Sequence, residues 1–484
     1  MLVRRLKNAA WALVAGVIAG QANLCAALAS DLPVEGGPAV AAGVAPPPHP
    51  ELGMPVAGWM VYPALFVGTV FNDNLYNTAT HRSSGFGVRL RPSFEADLDA
   101  GIHKSVVYLN ADAQFYPGHG QAYRTYPTFA VLADPTSVTG RVGFSHNYSP
   151  LPDLKFTITG DYTRTGNGLF GSGYGAGSPI VAIPNAATIT GNGTYNNQFT
   201  GLLTVEKQLG DRASITAKAG VQYINYDPLP SNAWFNALIG NIQAYNSVQQ
   251  NSLDYTAGLR GTFWMTPQVY GFVEPSADLR RYRNSYNDTN GYRVIAGVGS
   301  DLISLFRGEI YGGYQAQSSA NGRFGTTSNP AFGGRISYYP TRQFTITASL
   351  DQTLTAPIAQ QVTFNQIPIF MTPTPPSRTL QARVQGDYSI TEYWAAYLRG
   401  GWGQTRTSGY FSYATLIPQW ARGANSTIWS AGAGMSYTFW RNVAVTLEYQ
   451  FTSTNYGQNN NFFYWWLPTK VQQNLISAGL TYKY

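Results

Sequence analysis

The sequence predicts an all-β chain: a transmembrane, antiparallel, up-and-down β-barrel of about eighteen strands (16–20) with long extracellular loops and short periplasmic turns. Three observations predict it. From Trp59 to Tyr484 the chain falls into segments of about 10–14 residues in which apolar and polar side chains alternate, the signature of a strand with two unlike faces. The connections alternate between tight and long. The composition is 11% charged and 14% aromatic, against about 25% charged in typical soluble domains. With 33 tyrosines and 51 glycines, the chain is too polar for a helical membrane protein and too poor in charge for an ordinary cytosolic enzyme.

In chain order, residues 1–29 predict a secretory signal peptide. Arg4, Arg5 and Lys7 precede the apolar run AAWALVAGVIAG, which at about 12 residues is too short to span a bilayer. Ala27-Leu28-Ala29 supplies a small-x-small site for cleavage before Ser30. A short membrane anchor, or lipidation of Cys25, fits less well, because Leu24 stands where a lipidation signal needs a small residue. Cys25 is the single cysteine and is lost with the leader, which excludes a disulfide framework and a cysteine metal site. Residues 30–57, rich in Pro, Ala and Gly, predict an extended periplasmic linker. The barrel then occupies 58–484. The formal charge is +7, with three of the cations in the leader and no basic-aromatic cluster, so no nucleic-acid partner is expected.

Within the barrel, FGVRLRPSFEADL sets Phe86, Val88, Leu90, Phe94, Ala96 and Leu98 against Arg89, Arg91, Ser93, Glu95 and Asp97. LKFTITGDYT sets Leu154, Phe156, Ile158 and Tyr162 against Lys155, Thr157, Thr159 and Asp161. NVAVTLEYQF sets Val443, Val445, Leu447, Tyr449 and Phe451 against Ala444, Thr446, Glu448 and Gln450. Tight turns are expected near residue 100 and at 209–212, 265–268, 339–342, 390–393 and 439–442. Long loops are expected at 117–135, 167–196, 227–250, 356–375, 407–425 and 455–470. An even number of strands puts both chain ends, and all the tight turns, on the periplasmic side. Aromatics bunch beside those turns (Tyr148, Phe263, Trp264, Tyr393, Trp394, Phe439, Trp440), as a membrane-interface girdle requires. Alternation runs to the last atom through Ile476, Ala478, Leu480, Tyr482 and Tyr484, a barrel-closing signal for the outer-membrane assembly machinery.

The stretches YPALFVGTVFNDNLYNT (Tyr62–Thr78) and GVRLRPSFEADLDAGIHKSVVYLNADAQFY (Gly87–Tyr116) resemble the start of the β-barrel porin-2 family of Gram-negative outer-membrane proteins. A glycine-containing strand ending in Asn-Asp-Asn, a proline-bearing strand and a basic residue after the turn carry the likeness. It implies an outer-membrane location with lipid partners. Because some members resemble proteins encoded with exopolysaccharide export systems, it also implies a role in polysaccharide passage. It supplies no catalytic residues.

The polar face predicts a charged lumen. Expected pore-lining residues are Arg89, Arg91, Glu95, Asp97, Lys104, Asp112, Lys155, Asp161, Lys218, Arg260, Glu274, Asp278, Arg307, Glu309, Arg335, Asp351, Arg383, Asp387, Arg399 and Glu448, with Asp254 and Arg280 beside them. Charges there belong next to water or to each other. Two readings follow: a hydrated pore whose mixed-charge wall sets selectivity, or cross-strand ion pairs that hold the barrel. Asn72, Asp73 and Asn74 suit the start of an outer loop better than a Ca²⁺ site. The loop Ser453–Thr469, with Tyr464, Trp465 and Trp466, could stack on sugar rings or sit in the outer girdle. The histidines lack metal spacing, and Ser145 and His146 fall on opposite strand faces. No enzyme activity, cofactor or metal is therefore expected. The function expected is a porin-like channel for polar solutes or exopolysaccharide, or, alternatively, a non-conducting adhesin or assembly barrel.

Overall fold

The computed structural model describes residues 53–76, 82–120, 122–125, 130–133, 135–167, 194–226, 242–243, 251–283, 285, 288–303, 305–320, 325–355, 360–364, 367–372, 377–407, 410–412, 419–421, 425–455 and 470–484. The expected signal peptide, most of the linker, the glycine-rich Gly171–Gly177 and the aromatic part of the Ser453–Thr469 loop lie outside the described residues.

Eighteen strands make the wall: β1 (Trp59–Asn72), β2 (Gly85–Ala100), β3 (His103–Phe115), β4 (Ser137–Leu151), β5 (Leu154–Asn167), β6 (Thr194–Gln208), β7 (Ala213–Tyr226), β8 (Ser252–Trp264), β9 (Val269–Tyr282), β10 (Thr289–Ile303), β11 (Phe306–Ser319), β12 (Thr327–Thr341), β13 (Phe344–Thr355), β14 (Ser377–Ser389), β15 (Trp394–Thr407), β16 (Asn425–Trp440), β17 (Val443–Asn455) and β18 (Lys470–Lys483). Each pairs antiparallel with the next, and β18 pairs back onto β1 from Ala64↔Lys483 to Asn72↔Leu475. Closure leaves no edge, the condition a sheet must meet in hydrocarbon, where no water is present to satisfy free N–H and C=O groups. The strand number, its parity and the antiparallel order are those the sequence predicts.

The alternation resolves into two faces. Leu65, Val67, Phe86, Val88, Leu259, Val298, Leu398, Leu447 and Leu480 stand exposed on the outside. Their chain neighbours, among them Phe66, Arg89, Arg260 and Glu448, point inward. Aromatics ring the outer surface at two levels. Beside the tight turns stand Tyr148, Phe263, Phe306, Trp394, Tyr437, Trp440, Tyr482 and Tyr484; toward the other end stand Tyr223, Tyr255, Tyr292, Tyr314 and Trp429. On β8, Tyr255 and Phe263 are eight residues apart; at about 3.4 Å per residue on a tilted strand they bracket a band near the ~25 Å height of an outer-membrane barrel. The C-terminal Ile476, Ala478, Leu480, Tyr482 and Tyr484 all face outward on or just beyond β18, as expected.

The six predicted tight turns form, and two more, 152–153 and 304–305, complete the set. In the turn at 152–153 the Lys207 ammonium pairs with Asp153 and holds its carboxyl below the usual carboxylate range. At the opposite end the connections 283–288 and 320–326 are short; an outer loop of that length is indistinguishable from a turn in sequence. One boundary moves. Met54–Val56, assigned to the linker by composition, forms a strand against Trp59–Val61. Ala57 and Gly58 have φ of 49° and 88°, the left-handed pair that a two-residue hairpin turn requires.

Asn72, Asp73 and Asn74 clasp β18. Asp73 accepts from Asn474 N at 2.6 Å and from Asn474 Nδ2 at 2.7 Å, and Asn74, fully buried, donates through Nδ2 to Gln472 O at 2.8 Å. The motif thus begins the first outer loop and pins the barrel's closing pair of strands at their outer end. Farther out, Ile242–Gln243, between β7 and β8, pairs with Phe364 and Thr363, between β13 and β14.

Candidate functional site

The candidate site is the lumenal wall. Charged side chains reach it because every second residue of a strand points inward and a charge facing lipid near the midplane would cost about 2–4 kcal/mol. Once inside they meet across strands, since facing residues on paired strands lie about 5 Å apart.

The densest cluster straddles the seam where β1 meets β18. From β2, Arg89 donates through Nε and Nη2 to Asp112 on β3 at 3.0 and 2.5 Å. Its Nη1 reaches Glu448 Oε2 on β17 at 3.3 Å and Ser477 Oγ on β18 at 3.1 Å. Arg91 Nη1 donates to Glu448 Oε1 at 2.9 Å, and its guanidinium lies 4.2 Å above the Phe66 ring. That ring fits because Gly68 and Gly479 face each other in register beneath it; a Cβ on Gly479 would come within 2.5 Å of Gly68 Cα.

A second cluster spans β7 to β11. Lys218 Nζ donates to Glu274 Oε1 at 2.9 Å. Arg260 bridges Glu274 Oε2 at 3.3 Å and Glu309 Oε2 at 2.5 Å while lying 3.7 Å over the Phe272 ring. Tyr270 donates to Glu309 at 3.2 Å. Nearby, Arg280 pairs with Asp254 at 2.8 Å and Arg293 with Asp351 at 3.7 Å, and Tyr311 donates to the same Asp351. On β4, Arg141 donates to Asp161 on β5 at 2.6 Å.

A rule joins these groups. A lumenal aromatic lies against the wall and an arginine covers its inner face: Arg91 on Phe66, Arg141 on Tyr108, Arg260 on Phe272, Arg293 on Tyr311 and Arg399 on Tyr397. The space under the ring comes from a glycine on the neighbouring strand. Tyr397 is paired with Gly434, whose Cβ, if present, would meet the ring at 2.2 Å. The rings therefore lie against the wall, and the surface above them is guanidinium and carboxylate.

Of the residues expected in the lumen, Arg89, Arg91, Asp112, Asp161, Lys218, Arg260, Glu274, Glu309, Asp351 and Glu448 join ion pairs. Asp387 accepts from Gln385 at 2.9 Å. Lys155 stands opposite Glu206 in the ladder, and Glu95, Arg383 and Arg399 engage neighbours. Asp97 is half-buried and Asp278 lies against Gly291. Arg307 and Arg335 make no ion pair among the described residues. Lys104 is a correction: it pairs with Asp99 at 2.8 Å, with side chains 60% and 63% exposed, at the rim beside the tight turn rather than within the bore. Arg141, Arg293, Ser477 and the lumenal aromatics escaped the sequence reading. Arg141 and Arg293 share strand parity with other inward residues and were legible on that ground. The aromatics share that parity too, Tyr397 with Arg399 and Tyr311 with Glu309, but the arginine over each ring and the glycine beneath it come from strand pairing.

A closed eighteen-strand sheet with an apolar, aromatic-rimmed exterior and a charged interior is an integral outer-membrane β-barrel. It is a protein of a Gram-negative outer membrane. The family model described as "Putative beta-barrel porin 2" matches residues 173–362, and that described as "Outer membrane protein beta-barrel domain" matches residues 303–484. The first match agrees with the family resemblance, over a different stretch from the opening strands that suggested it. No curated protein matches. Among solved structures the chain is similar to the outer membrane channel DcaP of Acinetobacter baumannii, at 11% identity and a TM-score of 0.36, covering 88% of this chain and 98% of that one. It is similar to OccAB2 of Acinetobacter baumannii at 11% identity, TM-score 0.39, over 88% and 98%. It is also similar to the siderophore receptor PirA of Pseudomonas aeruginosa at 10% identity, TM-score 0.37, over 88% and 80%.

Proposed function

We propose that this barrel is a channel, not an enzyme, and that polar solutes cross the membrane through its lumen. The observation that carries this is the width of the wall together with its chemistry. Eighteen strands enclose more space than wall side chains fill, and here the long lumenal side chains fold back onto the wall in ion pairs and cation–π stacks. Such a lining is wetted by water, and its fixed charges make polar solutes the class that passes. The resemblance to the porin-2 family narrows the solute to polysaccharide handled by an export system. The alternating, aromatic-ended β18 is the segment offered to the barrel assembly machinery.

The test is single-channel conductance of the purified, refolded protein in a planar bilayer, with acidic and neutral oligosaccharides added in turn. Steady conductance blocked by oligosaccharide supports a glycan channel; conductance indifferent to them leaves a general porin. A folded barrel that does not conduct overturns the channel. A second reading, an interaction barrel, draws on the pairing of Ile242–Gln243 with Thr363–Phe364, which joins outer loops from well-separated strands. It predicts a closed mouth.

A further inference from the structure

We propose that His103 and His146 form a two-histidine site for a divalent transition-metal ion, such as Zn²⁺ or Cu²⁺, on the outside of the barrel at its periplasmic rim. The proposal is independent of whether the lumen conducts.

His103 is the first residue of β3, directly after the turn at Gly101–Ile102. His146 lies on β4, where Phe144, His146 and Tyr148 share the outer face: Phe144 is exposed, whereas Arg141, of opposite parity, turns inward to Asp161. The ladder sets Ser105 opposite His146 and Tyr148 opposite His103, so both imidazoles stand outside the wall, beside the aromatic girdle.

The nitrogens converge. His103 Nδ1 is 3.4 Å from His146 Nε2. Two nitrogens each bound to one Zn²⁺ at about 2.0–2.1 Å with a tetrahedral angle lie about 3.3–3.4 Å apart. The present contact is a hydrogen bond between the rings; a turn about χ2, a soft torsion for histidine, brings both lone pairs onto one point, where a cation replaces the shared proton. The other groups prepare the pair for this. His146 Nδ1 is 2.7 Å from Ser105 Oγ. With Nδ1–H donating to that hydroxyl, the tautomer leaves Nε2 bare toward His103, the outer-shell arrangement that orients metal-bound histidines. The Tyr148 ring lies 4.8 Å from the His103 ring at 13°, and itself lies 6.1 Å from Phe156, which holds the His103 plane. Among the described residues no cluster of three or more metal-ligating side chains exists. The protein thus supplies two ligands, and water or a phosphate oxygen of the adjacent lipid headgroups completes the shell. Sequence spacing gives no hint of this, because 43 residues separate the ligands and only strand pairing joins them.

The experiment uses the full-length barrel, free of any histidine tag, in detergent micelles. Cu²⁺ is added to one equivalent and its paramagnetic resonance spectrum recorded, and Zn²⁺ is titrated calorimetrically. The expected result is a single saturable site with two-nitrogen coordination, lost in His103→Asn and in His146→Asn. Ser105→Ala, a positioning change, weakens Zn²⁺ binding about tenfold without altering the two-nitrogen spectrum. Heat-modifiable gel migration confirms that each variant is a folded barrel; because the substituted side chains lie on the outer surface, folding is retained. A wild-type protein that binds no better than the double variant His103→Asn/His146→Asn overturns the proposal, as does a spectrum with one nitrogen or none.

Discussion

Arg91 on the second strand and Glu448 on the seventeenth meet at 2.9 Å, above the two strands that close the barrel. Neither β1 nor β18 contributes a charge to that pair. Glu448 also holds Arg89, and the side chains of Glu448 and Arg89 are only 8% and 9% exposed. Removing the carboxylate leaves two arginines with one remaining acid, Asp112. Breaking a buried pair by deleting one partner costs about 3–5 kcal/mol. Glu448→Gln is therefore expected to lower the temperature at which the barrel loses its fast-migrating form on a gel, while Glu206→Gln, outside the cluster, leaves that temperature nearly unchanged.

Gly434 leaves room for Tyr397. Gly434→Ala pushes that ring, and Arg399 above it, into the bore, at about 1–3 kcal/mol for the overpacking. The expected readout is reduced single-channel conductance with lower thermal stability. Adding Tyr397→Ala to the same chain restores conductance.

Leu259 faces lipid midway along β8 and is 50% exposed, whereas its neighbour Arg260 lies in the lumenal network. Leu259→Arg is expected to cost about 2–4 kcal/mol, measured by denaturant unfolding in lipid vesicles. Leu259→Phe leaves stability within about 1 kcal/mol of the parent. If the arginine variant is as stable as the parent, the lipid face has been misassigned.

Arg307 and Arg335 are lumenal cations that make no ion pair among the described residues. Arg307→Glu/Arg335→Glu is expected to shift the reversal potential in a salt gradient toward cation selectivity, and the shift shrinks as salt is raised, because screening shortens the reach of wall charges.

Asp73 ties the first outer loop to β18 through Asn474. Asp73→Ala removes the acceptor of two hydrogen bonds at about 1–3 kcal/mol for the donors left behind. Faster hydrogen exchange at Asn474 and in the outer third of β18 is the expected observation.

The barrel was legible because lipid imposes a two-residue period on every strand, and that period survives in segments such as NVAVTLEYQF without reference to any neighbour. Strand number followed from the turns, and the closing strand from its alternation through Ile476, Leu480 and Tyr482. What one strand cannot reveal is which residue stands beside it on the next. Glu448 could be placed in the lumen from its own strand, but its engagement with Arg89 and Arg91 depends on how β18 meets β1. The same limit concealed how the lumenal rings are seated: Tyr397 shares the inward parity of Arg399, but the space it occupies is known only once Gly434 is found opposite it. Ser145, adjacent to His146 in sequence, points away from it, while Ser105, 41 residues distant, touches it.

The ladder between Ile242–Gln243 and Thr363–Phe364 joins segments that follow β7 and β13, six strands apart on the wall. At about 4.8 Å between tilted strands, those strands stand on the order of 30 Å apart across the barrel. Segments that touch after leaving such distant posts tie two separate parts of the outer rim to each other. In the channel proposed here, such a tie is a constraint that lies outside the membrane, and it can be cut without altering a single residue of the wall.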